Sequence, residues 1–367
     1  MDNFAVAVLG FYWANQLASD LVDESTRHKE VRENFLRYEQ LTGYVRYYGR
    51  ATDIMGITRI KSRIHDDTFK LTLGQSSRQQ ILSNQASYGL WGLYSTAARD
   101  TGLLSGNDRV VTELGQIIVQ AMLEQLGSVG DKLFTLLTSN KPLKREYIED
   151  IGTPFMAAIH HESVQHPLLE ALMSGNDPES VQSELWQITR RIFSSTSEKP
   201  NTINEFIQLI LANNPSDRLS QYIHDIMAIE RLLVASNNIF HYCRRKDGEH
   251  LDDLLKTLEG RYQYAHLPER LPEGGFSKRE QLSAILVAFR NEDLPHLINL
   301  LLQLNKEVMQ QRSGAPWVEL ESGNTLRVKV KSEKAELGSQ SDIEQRWDYD
   351  YFLGSFLNIA RLHLGQL

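Results

Sequence analysis

The sequence predicts a mainly α fold carrying one β-hairpin. Apolar residues recur at three- and four-residue spacing along most of the chain, the period of a helix with one buried face. Turn-forming clusters such as NDPES, NNPSD and RSGAPW punctuate these stretches. Only residues 317–332 show clear strand alternation.

In chain order, residues 4–13 are mostly apolar, but Asp2 stands where a secretory signal would be basic. The first cation is Arg27, and Asn15 and Gln16 interrupt the run, so a core helix of an unprocessed chain is expected. Residues 29–48 follow with a stripe of Val31, Phe35, Tyr38 and Leu41. Residues 113–126 repeat Leu114, Ile117, Ile118, Ala121, Met122 and Leu126 behind Thr112, a natural N-cap. Further helices are predicted at 129–139, 144–160, 166–173, 178–194, 202–213, 217–243, 250–262, 277–289, 294–312 and 342–364. In 317–332, Val318 and Leu320 alternate with Glu319 and Glu321, and Leu326, Val328 and Val330 with Arg327, Lys329 and Lys331, across a Ser-Gly-Asn turn. This predicts a hairpin with one polar face of opposite charges.

With 367 residues, 41% hydrophobic and 23% charged, the chain is of ordinary globular composition, which disfavours disordered and collagen-like classes. Cys243 is the single cysteine, so neither an intrachain disulfide nor a cysteine zinc cage can form, and a reducing cytoplasm is expected. No stretch approaches a membrane span. The net charge of −8 is unevenly placed: residues 26–145 hold 17 Lys and Arg against 11 Asp and Glu, whereas residues 146–367 sum to −10. Cations concentrated in one third suit a polyanion better than the total implies.

Residues 76–126 carry the most specific pattern. SSRQQILSN reads as a short helix, ASYGLWGLYSTAARDTGLL as a second, LLSGNDRVV as a tight hairpin and TELGQIIVQAMLEQL as a closing helix. This order, and the phrase TGLLSGNDRVVTELGQ in particular, resembles the winged helix-turn-helix family, with a very short wing. The resemblance covers 50 to 70 residues and implies a recognition helix over 88–99. On it, Leu90, Trp91, Tyr94, Ala97 and Ala98 would pack inward while Tyr88, Gly92, Ser95 or Thr96, and Arg99 face the nucleic acid, with Arg109 at the wing gripping backbone. Gly89 and Gly92 would weaken that helix by up to about 1 kcal/mol each. A second basic cluster, Arg46, Arg50, Arg59, Lys61 and Arg63 interleaved with Tyr44, Tyr47 and Tyr48, suits a phosphate backbone or an unstacked base.

Catalytic patterns are sparse. In HHESVQH, His161 and His166 are five residues apart and fall on different helical faces, so zinc is not expected. Arg290, Asn291 and His296 match the arginine-to-histidine spacing of the HEPN helical ribonucleases, whose pair acts on an RNA 2′-hydroxyl without metal. Pro295 and Asp293 equally read as a helix start, making His296 an ordinary first-turn residue. No phosphate loop, dinucleotide fingerprint, nucleophile elbow or CxxC pair occurs, and no cofactor is expected. The reading is therefore N-terminal helices over 1–59, a winged-helix-like module over 60–126 and an acidic helical domain over 127–367. The expected function is that of a non-enzymatic DNA-associated subunit whose helical body meets partner proteins or further copies of itself. Its overall character suits a bacterial DNA-maintenance or phage-defence complex. A protein-only scaffold is the alternative and a metal-independent ribonuclease the third.

Overall fold

The apolar N-terminal run forms α1 (Asp2–Leu17), and every residue from Ala5 to Phe11 is buried. A helix apolar all round must be enclosed. α2 (Glu24–Tyr48) is capped by Asp23, whose side chain accepts from Thr26 N at 2.8 Å. It packs on α1 and on α8 (Arg145–His160). Phe11 of α1 stacks on Phe35 of α2 at 4.1 Å between ring centres. The computed structural model describes residues 1–65, 69–195, 199–274, 276–333 and 336–364, and the Asp66-Asp67 pair lies outside them.

α2 and α8 meet backbone to backbone. A Cβ on Gly152 would stand 2.5 Å from Gly49 N and 2.8 Å from Val45 O, contacts that main chain cannot yield without parting the helices. In an open helix, Gly→Ala stabilises by up to about 1 kcal/mol. Here overpacking reverses the sign, and Gly152→Ala is expected to destabilise by about 2 kcal/mol in urea unfolding. A stabilised variant would show that the helices separate freely.

Short elements follow: α3 (Ile57–Ile64), α4 (Gln85–Tyr88), α5 (Leu90–Asp100), β1 (Leu104–Ser105), β2 (Val110–Val111) and α6 (Glu113–Leu126). The expected tight hairpin is present, with Leu104 opposite Val111 and Ser105 opposite Val110, and Thr112 caps α6 by accepting from Gly115 N. The helix expected over 76–84 is not. Residues 77–79 form a turn, because the carbonyls of Gln79 and Gln80 accept from Arg63 and Arg59 instead of from a following helical turn. The second expected helix is broken at Gly89. There the buried Glu39 of α2 accepts from Leu90 N at 2.6 Å and from Gln85 Nε2 at 2.8 Å, capping α5 from outside. A Cβ on Gly89 would lie 2.4 Å from that carboxylate, and one on Gly92 would strike the Ser87 carbonyl. Both glycines are thus requirements of the α4–α5 corner rather than weak points in a long helix.

α7 (Ser128–Thr138) and α9 (Glu162–Ser174) complete a first compact unit, Met1–Gln187, and α10 (Val181–Ser195) begins in it. One apolar cluster from Ala5 to Ala171 serves this unit, so both expected boundaries, 59/60 and 126/127, fall inside it. The acidity also redistributes. Residues 146–187 hold eight carboxylates and no Lys or Arg, whereas 188–367 hold 22 Lys and Arg against 24 Asp and Glu. The acidic body is a feature of the first unit.

The second unit, Ile188–Leu367, contains α11 (Ile203–Ala212), α12 (Asp217–Cys243), α13 (Leu251–Leu258), α14 (Arg279–Arg290) and α15 (Leu294–Gln311). β3 (Val318–Leu320) and β4 (Leu326–Val328) then pair antiparallel with Glu319 opposite Arg327. The expected charge pairs form on that face, Lys329 to Glu319 at 2.7 Å and Arg327 to Glu321 at 2.8 Å. The helix expected over 342–364 is two, α16 (Gln340–Gln345) and α17 (Tyr351–Leu364). Glu230 of α12 takes the amides of Asp348 and Tyr349, which breaks the run between them. Cys243 ends α12 inside this unit's core, fully buried, and burial pushes its thiol up to about 12. Among the described residues, no helix is long and apolar enough to cross a membrane.

Candidate nucleic-acid interface

α5 presents Gly92, Leu93, Thr96, Arg99 and Asp100 outward, with the exposed Tyr88 just before it. Trp91, Leu90 and Ala98 pack inward as expected, Trp91 within 5.5 Å of Phe11 and Phe35 between ring centres. Ser95 is buried at 2% exposure and is removed from the contact set. At 100° per residue, Gly92, Leu93, Arg99 and Asp100 define a solvent arc within about 60° of Thr96, and Ser95 lies 100° away, outside it. Leu93 and Asp100 occupy that arc instead.

The β1–β2 hairpin returns Arg109 onto this helix. Its guanidinium lies 4.1 Å over the Trp91 ring, and its backbone has a left-handed φ of 54°. Burial, and then the like charges of Arg99 and Arg32, hold the Arg109 guanidinium below its ordinary pKa, while Asp108 acts the other way. Asp108 is already engaged, by His28 Nδ1 at 2.9 Å and Arg27 at 3.8 Å. Arg99 makes no hydrogen bond or ion pair among the described residues, and its Nε is buried without a partner. Arg99 and Arg109, with His28, Ser25, Asn107 and Asp108, line an open pocket of about 550 Å³ at the start of α2. Glu24 also lines the pocket, but Asp108, the carboxylate acting on Arg109, is shared with Arg27 and His28, and the two arginines form a site that an external anion would relieve. Sequence reading found Arg99 and Arg109. It missed His28, Arg27 and Arg32, which reach the wing only because α2 folds back beneath it.

The second basic cluster divides. Arg46 is 2% exposed, bonded to Asn3 Oδ1 at 2.7 Å and Asp53 at 2.9 Å, so it ties α1, α2 and the following loop and is corrected from contact residue to internal strut. Arg59 and Arg63 hold the Gln79 and Gln80 carbonyls, and Arg63 also reaches the Tyr44 hydroxyl at 3.2 Å. Arg50 and Lys61 are exposed.

Arg290 donates to the Pro268 carbonyl at 3.1 Å, Asn291 ends α14, and Asp293 caps α15 by accepting from His296 N. Each has a local structural task. Arg290→Ala with His296→Ala is expected to shift stability by less than about 1 kcal/mol. Wild-type protein in EDTA is expected to leave single-stranded RNA intact. Cleavage by wild type, lost in the double variant, would establish the ribonuclease instead. His161 caps α9, accepting from Ser163 N, and no group of three metal-ligating side chains gathers among the described residues. Comparison with known proteins finds no matching family model, curated protein or solved structure.

Proposed function

We propose that the first unit is a nucleic-acid-binding module whose residues 60–126 work as a winged helix, and that the chain is the non-enzymatic, DNA-associated subunit of a cytoplasmic complex. The observation that carries this reading is the convergence of Arg99 and Arg109 on an open pocket, with Arg32 near enough to add its like charge to Arg109 and Asp108 engaged by Arg27 and His28. A phosphate diester there replaces cation repulsion with charge-assisted hydrogen bonds. Tyr88 and Thr96 extend the contact along α5, and Arg50 and Lys61 add to the surrounding field. A protein-contact reading has one specific support, the 53% exposure of Leu93 in the middle of that face.

The deciding experiment is a salt titration of duplex binding by the intact protein, read by fluorescence anisotropy. Two to three neutralised phosphates predict a slope of roughly −2 to −3 in log K against log salt. A flat titration at measurable affinity, or no binding at low salt, would favour the protein scaffold.

A further inference from the structure

A second pocket of about 460 Å³ lies in the same unit, between Tyr44 near the end of α2, Arg63 of α3 and the segment 69–79. Position 44 is sixteen residues from His28 along α2, roughly 24 Å at 1.5 Å per residue, so the two pockets are separate. Their linings differ. The wing pocket contains Glu24 and Asp108, and the ring beside it, Trp91, is covered by Arg109. The second contains three cations, Arg63, Lys70 and Arg78, no carboxylate among its described lining residues, and the half-buried Phe69, whose ring centre lies 5.5 Å from that of the fully buried Tyr44 and 6.0 Å from the Arg145 guanidinium.

Its polar groups are arranged in advance. Arg63 is fixed by the Gln79 and Gln80 carbonyls and the Tyr44 oxygen. Tyr44 is fully buried and accepts from Arg63, so it steadies that guanidinium rather than facing the pocket, and burial keeps its phenol protonated. Lys70 and Arg78 are exposed and make no ion pair among the described residues. The half-buried aromatic wall of Phe69 next to two unspent cations matches a ligand with a flat face and a phosphate. The volume lies within the range of small-ligand sites. We infer that this pocket binds one nucleoside monophosphate unit, its base against Phe69 and its phosphate held by Lys70 and Arg78. That unit comes either as a free nucleotide or as the unstacked terminal nucleotide of a strand.

Calorimetric titration of the full chain with AMP, dTMP, inorganic phosphate and a 5′-phosphorylated hexathymidylate tests this. Lys70→Glu with Arg78→Glu, both at exposed positions, is expected to weaken nucleotide binding at least tenfold. Phe69→Leu, checked for folding by circular dichroism, is expected to weaken AMP more than phosphate. Arg99→Glu with Arg109→Glu is expected to leave mononucleotide binding unchanged, so this inference and the wing assignment fail separately. Loss of mononucleotide binding in the pocket variants supports the free ligand, and loss confined to the hexanucleotide supports the strand end. Nucleotide and hexanucleotide binding that ignores the pocket variants, or is absent from wild type, overturns the inference. So does inorganic phosphate that binds as tightly as AMP, since the aromatic wall would then contribute nothing.

Discussion

Arg99→Glu combined with Arg109→Glu is expected to lower affinity for duplex DNA about a hundredfold at 0.1 M salt. The log–log salt slope should shrink by about 2, since each lost phosphate contact removes roughly 0.9. The magnitude follows from the pocket's composition. Both arginines that line it become anions beside Asp108 and Glu24, so attraction turns to repulsion. Folding is expected to survive, because Arg99 has no hydrogen-bond or ion-pair partner among the described residues and Arg109 contributes mainly its stacking on Trp91, worth about 1 kcal/mol. Arg46→Glu provides the contrast: it would place a carboxylate in a 2% exposed site beside Asp53 and should unfold the unit. Unchanged DNA affinity in a folded Arg99→Glu, Arg109→Glu protein would remove the wing and α5 from the interface.

The second large effect concerns pH. Burial pushes the Glu39 carboxyl up to about 7, against the hydrogen bonds from Leu90 and Gln85 that favour its ionised form. The folded state therefore holds this proton more tightly than the unfolded chain, whose value is 4.5. Stability from this group is fully present at and below about pH 4.5 and is lost as pH rises toward 7, at about 1.4 kcal/mol per unit. Between pH 4.5 and 8 the cost amounts to about 3 kcal/mol. Glu39→Gln preserves an acceptor for Leu90 and removes the titration. The stability difference between wild type and this variant, from urea unfolding at several pH values, should move by that amount in favour of the variant. Parallel pH profiles would show that the carboxylate is solvated in the folded protein.

Periodicity made the long helices legible. The stripe on residues 113–126 and the capping Thr112 define α6 to the residue, and the alternation at 317–332 gives both hairpin and charge pairing. The misses share one cause. At Gly89, at 76–84 and between α16 and α17, a side chain distant in sequence takes backbone groups that a local pattern assigns to a helix: Glu39, Arg59 with Arg63, and Glu230. Such competition leaves no trace within a short window. The candidate site was half visible for a related reason. Arg99 and Arg109 stand near each other in sequence, whereas Arg27, His28 and Arg32 are brought by tertiary folding. Arginine-rich composition also could not separate surface cations from Arg46, which looks the same in sequence and is enclosed.

Cys243 gives the second unit a clock of its own. A thiol that is fully enclosed and held protonated reacts with a disulfide or maleimide reagent only after its surroundings open, so modification rate counts openings of the 188–367 core. Because it is the single cysteine, no second signal contaminates the count. Substitutions at Glu39 or Gly152 alter the first unit, and native-state labelling shows whether the second unit notices. Independent rates would mean that the two halves denature as separate cooperative blocks, while a shared response would make the chain one thermodynamic object.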